Sequence, residues 1–125
     1  MPDFVAASNR LVDAYNSKNF ELMRELISPS ISMAHHNRNF AVTSRDDLMA
    51  AIEAFAASFM RNRRFEPPER VHQLDNLVIR ESYWGGTPDV DIPGFGKIAE
   101  PLRLKLCSFM RFDANSILVE WIDYG

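Results

Sequence analysis

The final stretch of the chain decides the fold, and it reads YWGGTPDVDIPGFGKIAEPLRLKLCSFMRFDANSILVEWIDYG from Tyr83 to Gly125. Within it, residues 102–112 and 117–123 alternate apolar and polar side chains. The segment between them, Asp-Ala-Asn-Ser at 113–116, has the composition of a tight turn. The pattern therefore predicts a long β-hairpin, entered through a loop rich in glycine and proline.

The N-terminal part of the chain predicts two helices. Asp3 is placed to cap a first helix at about residues 4–17, where apolar side chains recur at helical spacing. Asn19 is placed to cap a second, short helix, which we expect to end at Pro29 and its two flanking serines. The two segments together indicate a helical hairpin that lies against the sheet.

A short strand is predicted at residues 31–36, because apolar and polar positions alternate there. This alternation places Ile31, Met33 and His35 on one face. A polar turn at residues 37–39 and a brief strand at 40–42 follow.

Ser44 begins the clearest helix of the sequence, since Asp47 follows it in the manner of a capping box. One stripe of this helix is apolar and rich in aromatic residues: Leu48, Ile52, Phe55 and Phe59. The basic run at 61–64 comes next. We favour a solvated helix end for it, with a clamp for an anionic ligand as the alternative.

Residues 71–84 are predicted to form one further strand after the break at Pro67 and Pro68. Helices therefore come first and the sheet comes last, which predicts an α+β architecture rather than a parallel βαβ array. A length of 125 residues suits a single domain, which we place at residues 1–125.

Composition excludes several functional classes. A net charge of −3 argues against a general nucleic-acid binder. No apolar run approaches the roughly 20 residues that span a membrane, and no secretory signal is expected at the N-terminus. The single cysteine, Cys107, cannot form an internal disulfide, and no zinc or phosphate-loop spacing occurs. We expect a cytoplasmic protein without a metal or cofactor.

The C-terminal stretch also carries a family resemblance. It is similar to the closing pattern of the SnoaL-like polyketide cyclases in four segments: Trp84-Gly85-Gly86, Ile92-Pro93-x-x-Gly96-Lys97, Phe109-x-Arg111-Phe112 and Ile117-x-Val119-Glu120-Trp121. Those proteins belong to the wider fold of nuclear transport factor 2 and ketosteroid isomerase. The resemblance implies a cone-shaped α+β fold, in which N-terminal helices pack on a strongly curved mixed or antiparallel sheet and enclose an apolar pocket.

Two catalytic residues are implied by the resemblance. In register with ketosteroid isomerase, His35 falls at the position of the general-base aspartate, and a histidine suits proton transfer near neutral pH. The alternative is a strand-end histidine bonded to the following loop, or one of a solvent-facing pair with His36. SnoaL-like cyclases use an aspartate near the end of the last strand, usually four residues beyond the tryptophan, whereas Asp123 lies two beyond Trp121. The alternative for Asp123 is a polar cap on a terminal strand.

Six further residues are predicted to contact a substrate, although aromatic side chains are more often core: Tyr15, Phe55, Phe59, Trp84, Phe109 and Trp121. Where ketosteroid isomerase supplies a tyrosine to its oxyanion hole, this chain has Leu11. Steroid isomerisation is therefore not expected.

Two functions remain open at this stage. One is a cofactor-independent cyclase or isomerase that removes a proton next to the carbonyl group of a compact, apolar or cyclic ligand. The other is a non-catalytic ligand-binding or dimerisation module. The resemblance implies a homodimer through the outer sheet face that carries Arg103, Lys105 and Arg111. It also implies a more open site, or one closed by a partner subunit, because a C-terminal helix that many relatives carry does not follow within these residues.

Overall fold

A computed structural model describes residues 3–125. The helices are α1 Phe4–Asn16, α2 Phe20–Leu26 and α3 Arg45–Ala54. The strands are β1 Ile27–His35, β2 Phe40–Val42, β3 Arg64–Phe65, β4 Arg70–Leu74, β5 Leu77–Gly86, β6 Leu102–Phe112 and β7 Leu118–Tyr124. Met1 and Pro2 lie outside the described residues, and the domain bounds of 1–125 stay a prediction.

The sheet runs β2-β1-β7-β6-β5-β3, and β4 pairs with β5 as well. Strands β1 and β7 are parallel, whereas the other pairs are antiparallel. The three helices cover one face of this mixed, unclosed sheet, as the predicted nuclear transport factor 2-like α+β fold requires. The hairpin of β6 and β7 lies at its centre, so the stretch that decides the fold also forms the middle of the sheet.

Side-chain caps fix the starts of the three helices. The Asp3 carboxylate accepts a hydrogen bond from the backbone N–H of Ala6 at 2.9 Å. The Asn19 side chain accepts from Leu22 at 3.2 Å, and the Ser44 hydroxyl accepts from Asp47 at 3.1 Å. Each cap satisfies a backbone donor that the first turn of a helix leaves free. The three predicted helix starts are confirmed.

The predicted end of the second helix is wrong. The helix stops at Leu26, and β1 begins directly at Ile27, so that Pro29 lies within the strand. Proline removes a backbone donor, and the pairing of β1 with β7 is interrupted between Ile27 and Ser32, where that donor is not needed. The predicted inward face of this strand is correct, since Ile31, Met33 and His35 are all buried.

The strand predicted at residues 71–84 is two strands. β4 ends at Leu74 and β5 begins at Leu77, with a tight turn at Asp75 and Asn76 between them. Asp75 has a φ of 55°, and the pair Leu74–Leu77 closes the hairpin. Aspartate tolerates this left-handed conformation better than most residues, so the Asp-Asn pair was the missed signal.

A π-helical turn, Phe55–Phe59, extends α3 and ends its regular spacing. The backbone N–H of Met60 donates to the carbonyl of Phe55 at 3.0 Å, one residue further back than in an α-helix. This extra residue rotates the end of the helix. As a result Phe59 is 40% exposed, whereas Met60 is fully buried in the position that helical spacing predicts for Phe59.

Two adjacent glycines allow β5 to pack closely. A Cβ atom on Gly85 would clash with the backbone carbonyl oxygen of Leu102 on β6. A Cβ atom on Gly86 would lie 2.8 Å from the Met60 sulfur and 2.7 Å from the Asn62 side-chain oxygen. The Trp-Gly-Gly motif therefore lets the end of β5 approach both β6 and the residues after the π-helical turn.

Candidate functional site

A cavity of about 280 Å³ lies between the helices and the inner face of the sheet. Its wall is mostly apolar, with a small number of polar groups, which is the usual composition of a small-molecule pocket. Six of the eight residues predicted to form a site line this cavity: Tyr15, His35, Phe55, Trp84, Trp121 and Asp123.

The carboxyl group of Asp123 is a deeply buried acid in the cavity wall. The residue is 4% exposed, and the Trp121 indole Nε1 donates to its Oδ1 at 2.8 Å. Both side chains lie on the inner face because they are two residues apart on β7. Burial raises the pKa of Asp123 to about 6, while the Ser108 hydroxyl and the Trp121 indole act in the lowering direction.

Ser108 lies directly opposite Asp123 on β6. Its Oγ is buried and, among residues 3–125, makes no hydrogen bond of full geometry. A rotation of this hydroxyl toward Asp123 would supply the carboxylate with a second donor. The strand register thus places the Ser108 hydroxyl beside the Asp123 carboxyl group.

His35 lies directly opposite Asp123 on the other side, because β1 and β7 are parallel and pair these two residues. Its Nε2 lies 3.4 Å from the carbonyl oxygen of Gly125. Burial lowers the pKa of His35, and the positive charge of Arg38 acts in the same direction. The imidazole is therefore neutral at pH 7, with one nitrogen able to donate and the other to accept.

Tyr15 projects into the cavity from α1, opposite the sheet. The Trp84 indole Nε1 donates to the Tyr15 hydroxyl oxygen at 2.9 Å. Burial raises the pKa of Tyr15, Arg63 acts in the opposite direction, and the nearby Asp123 raises it further. The phenol is protonated at neutral pH, and its O–H proton is available to an acceptor in the cavity.

The guanidinium group of Arg63 packs against the face of the Tyr15 ring. It lies 3.8 Å from the Tyr15 ring centroid, and its Nη1 donates to the Tyr15 carbonyl at 2.7 Å. Arg63 is only 2% exposed. The favoured interpretation of the basic run as a solvated helix end is therefore wrong at Arg63, which stabilises the end of α1 and stacks on an aromatic ring.

Phe59 and Phe109 lie outside the cavity wall. Phe59 was placed by α-helical spacing, which the π-helical turn breaks. Phe109 lies on the outer face of β6, where its ring centroid is 5.7 Å from that of Tyr124. On this strand the buried residues are the even-numbered ones from Leu106 to Phe112, so Phe109 has the wrong parity for the cavity.

The open side of the cavity includes residues that the sequence did not single out. Arg38 and Asn39 come from the turn after β1, and Phe95 comes from the loop between β5 and β6. The ring centroids of Phe55 and Phe95 are 5.9 Å apart, so the loop closes over the end of α3. The signal for Arg38 was its position, since it lies three residues after His35, in the turn that follows an inward-facing strand.

Residues 3–125 contain neither a candidate metal site nor a candidate membrane-spanning helix. In that part of the chain, no group of three His, Cys, Asp or Glu side chains is arranged to hold a metal ion. No helix there is long and apolar enough to cross a membrane. What the cavity does contain is a carboxyl group, a neutral imidazole and a phenol around an apolar space. Such groups can bind a small ligand and exchange protons with it.

Comparisons with known proteins agree with this architecture. A family model described as a SnoaL-like domain matches residues 9–121. No protein with a curated description matches significantly. A candidate polyketide cyclase from Pseudomonas putida superposes with a TM-score of 0.84 at 14% identity, covering 100% of this chain and 92% of that one.

Two other solved structures show how widely this fold is used. A Catenulispora acidiphila protein with a ketosteroid isomerase-like fold, in complex with trimethylamine, has a TM-score of 0.75 at 17% identity, covering 100% of this chain and 86% of that one. A Mycobacterium tuberculosis LEH-like epoxide hydrolase has a TM-score of 0.73 at 12% identity, covering 97% of this chain and 80% of that one. At these identities the likeness concerns the fold. With the family model matched over most of its length and a small-molecule pocket inside its cone, the chain belongs to the SnoaL-like domain family.

Proposed function

We propose that the protein is a cofactor-independent enzyme that removes a proton from the carbon next to a carbonyl group, as the opening step of an isomerisation or an intramolecular aldol cyclisation. The observation that carries the proposal is the buried Asp123 carboxyl, which lines an apolar cavity and has a pKa raised to about 6. A general base works best when its pKa lies near the working pH.

Three polar residues of the cavity wall, Asp123, Tyr15 and His35, have separate roles in this reaction. The Asp123 carboxylate accepts the proton, and the electron pair of the broken C–H bond moves to the carbonyl oxygen as an enolate forms. Tyr15 donates its O–H to that oxygen, since its own oxygen already accepts from Trp84. The predicted catalytic His35 lies beside Asp123 and is neutral, so it is suited to relaying a proton rather than to stabilising a negative charge.

The reaction balances without a further reactant. In an isomerisation, the proton held by Asp123 returns to a different carbon of the same molecule. In a cyclisation, the enolate carbon attacks a second carbonyl of the substrate, and the proton passes to the new alkoxide. Both outcomes leave Asp123 ionised for the next turnover.

The test is exchange of carbon-bound hydrogen for deuterium in a panel of one- and two-ring cyclic ketones, followed by proton NMR in heavy water. We expect the wild-type protein to accelerate the loss of the signal next to the carbonyl. The Asp123→Asn variant should lower this rate by about 10²- to 10⁴-fold, the usual contribution of a general base. Asp46→Asn, at an exposed position in the first turn of α3, is the matched control.

A non-catalytic ligand-binding module is the alternative that the same experiment identifies. If ketones bind, as seen from shifts of the His35 ring signals, and no exchange exceeds the buffer rate, then the cavity binds without catalysing. Exchange that Asp123→Asn leaves unchanged would remove Asp123 from the mechanism. Dimerisation through the outer sheet face remains a separate proposal, which sedimentation of the purified protein would test.

A further inference from the structure

Arg38 places a positive charge in the wall of the cavity. It belongs to the short 3₁₀ turn His36–Arg38 that follows β1, and it lines the cavity together with Phe95. Its Nη1 donates to the carbonyl of Gly94, and its guanidinium carbon lies 4.9 Å from the Phe95 ring centroid. These contacts hold the side chain against the loop between β5 and β6.

The other edge of the same guanidinium makes no hydrogen bond to residues 3–125. The Nε atom of Arg38 is buried and has no hydrogen-bond partner among residues 3–125. In that part of the chain, the ion pairs involve six other basic residues and not Arg38. A buried donor on a charged group without a partner is unfavourable, and a ligand that supplies the acceptor recovers that free energy.

The shape of this free edge selects the acceptor. With Nη1 bonded to Gly94, the side formed by Nε and Nη2 can donate two parallel hydrogen bonds to one carboxylate. A singly charged ligand group is more compatible with Asp123 than a doubly charged one, because Asp123 must itself become negatively charged to act as a base. A doubly charged group would oppose that ionisation more strongly.

The volume limits the remainder of the ligand. A cavity of roughly 150 Å³ accommodates benzene, and this one measures about 280 Å³. Its walls between Arg38 and Asp123 are aromatic and aliphatic, including Phe55, Trp84 and Trp121. A rigid body of one or two rings fits the space.

We propose that the cavity binds a compact one- or two-ring compound that carries a carboxylate, with the carboxylate on the Nε/Nη2 edge of Arg38 and the ring system against Trp84 and Trp121. The assignment of the reacting end to Asp123 rests on the proposed function above. The recognition of the carboxylate by Arg38 does not depend on it and is measured as binding alone.

The experiment compares naphthoate with its neutral amide, naphthamide, by titration calorimetry and NMR. The wild-type protein is expected to bind naphthoate at least tenfold more tightly. Arg38→Gln should abolish this preference and leave naphthamide binding unchanged. Arg38→Lys keeps the positive charge but lacks the two parallel N–H donors, so it should retain part of the preference. Arg10→Gln removes an exposed arginine outside the cavity wall and serves as the control.

Several results would overturn the inference. Equal affinity for naphthoate and naphthamide, or a preference that survives Arg38→Gln, excludes carboxylate recognition by Arg38. No naphthoate binding at millimolar concentration excludes it as well. If naphthoate binds through Arg38 and ketones show no hydrogen exchange, the ligand class stands and the proposed reaction fails. Asp123→Asn should bind naphthoate at least as tightly as the wild type, because it removes a nearby negative charge.

Discussion

The indole Nε1 of Trp84 donates a hydrogen bond of 2.9 Å to the hydroxyl oxygen of Tyr15. The two residues come from β5 and α1, so this bond connects the sheet to the first helix inside the cavity wall. Because the oxygen already accepts one hydrogen bond, the hydroxyl proton is directed elsewhere, and donation to Tyr15 makes that proton a better donor.

Replacing Tyr15 tests this relationship. Tyr15→Phe keeps the ring that packs on Phe65 and Arg63 but removes the hydroxyl. We expect the rate of hydrogen exchange in cyclic ketones to fall by about 10²- to 10³-fold, the usual loss for one oxyanion donor. Trp84→Phe leaves the hydroxyl in place and should lower the rate less. A rate that Tyr15→Phe does not change would rule out the tyrosine as the donor.

The raised pKa of Asp123 predicts a pH-dependent stability. The folded state holds this proton up to a pH of about 6, whereas an unfolded aspartate releases it near 3.8. The folded protein therefore binds more protons between these two values, and stability falls as the pH rises through them. The difference between these two pKa values corresponds to about 3 kcal/mol of unfolding free energy, which is lost once Asp123 is ionised in both the folded and the unfolded state.

Urea unfolding of the wild type and Asp123→Asn from pH 4 to pH 8 measures this contribution. The variant should gain stability relative to the wild type as the pH rises, and the gain should level off above a pH of about 6. The asparagine keeps an oxygen that can accept from Trp121. Parallel curves for the two proteins would show that the carboxyl group is not buried as described.

His35 should behave in the opposite sense. Its pKa is lowered in the folded state, so the unfolded chain binds more protons below about 6.5, and stability is lost as the pH falls. An NMR titration should show the His35 ring signals changing below the midpoint of a free imidazole. His35→Gln should make unfolding less sensitive to acid. A His35 midpoint at or above about 6.5 would contradict burial beside Arg38.

Gly85 gives a prediction about stability alone. Gly85→Ala forces a Cβ atom against the carbonyl oxygen of Leu102, so β5 and β6 must separate locally. We expect a loss of about 1–3 kcal/mol in the free energy of unfolding, as for other overpacked sites. Gly94→Ala is the comparison, because Gly94 has open space around it and a φ of 80°. It should lose only about 1–2 kcal/mol, through its backbone conformation.

Residues two apart on a strand share a face, and this simple period let the sequence predict where Trp121 and Asp123 point. The three helix caps were equally predictable, since each depends on a side chain and a backbone N–H three residues later. Local patterns of this kind are visible in a sequence because their physical cause is local.

Phe59 and Arg63 could not be placed in the same way. The π-helical turn that moves Phe59 outward depends on how the end of α3 meets Met60 and Gly86, which lie on different elements. Arg63 is buried because the ring of Tyr15 lies under it, and those two residues are far apart in the sequence. Such features arise from tertiary packing, and a single sequence carries little trace of it.

The parallel pairing of β1 with β7 has a consequence for the order of folding. Asp123 and His35 are neighbours in space but far apart in the sequence, and β7 is synthesised after the other six strands described here. It inserts between β1 and β6, so neither of those strands can complete its pairing before β7 arrives. During translation the nascent domain must therefore keep an unfilled gap at the centre of its sheet until β7 emerges, a stage at which unpaired strand edges are open to wrong partners.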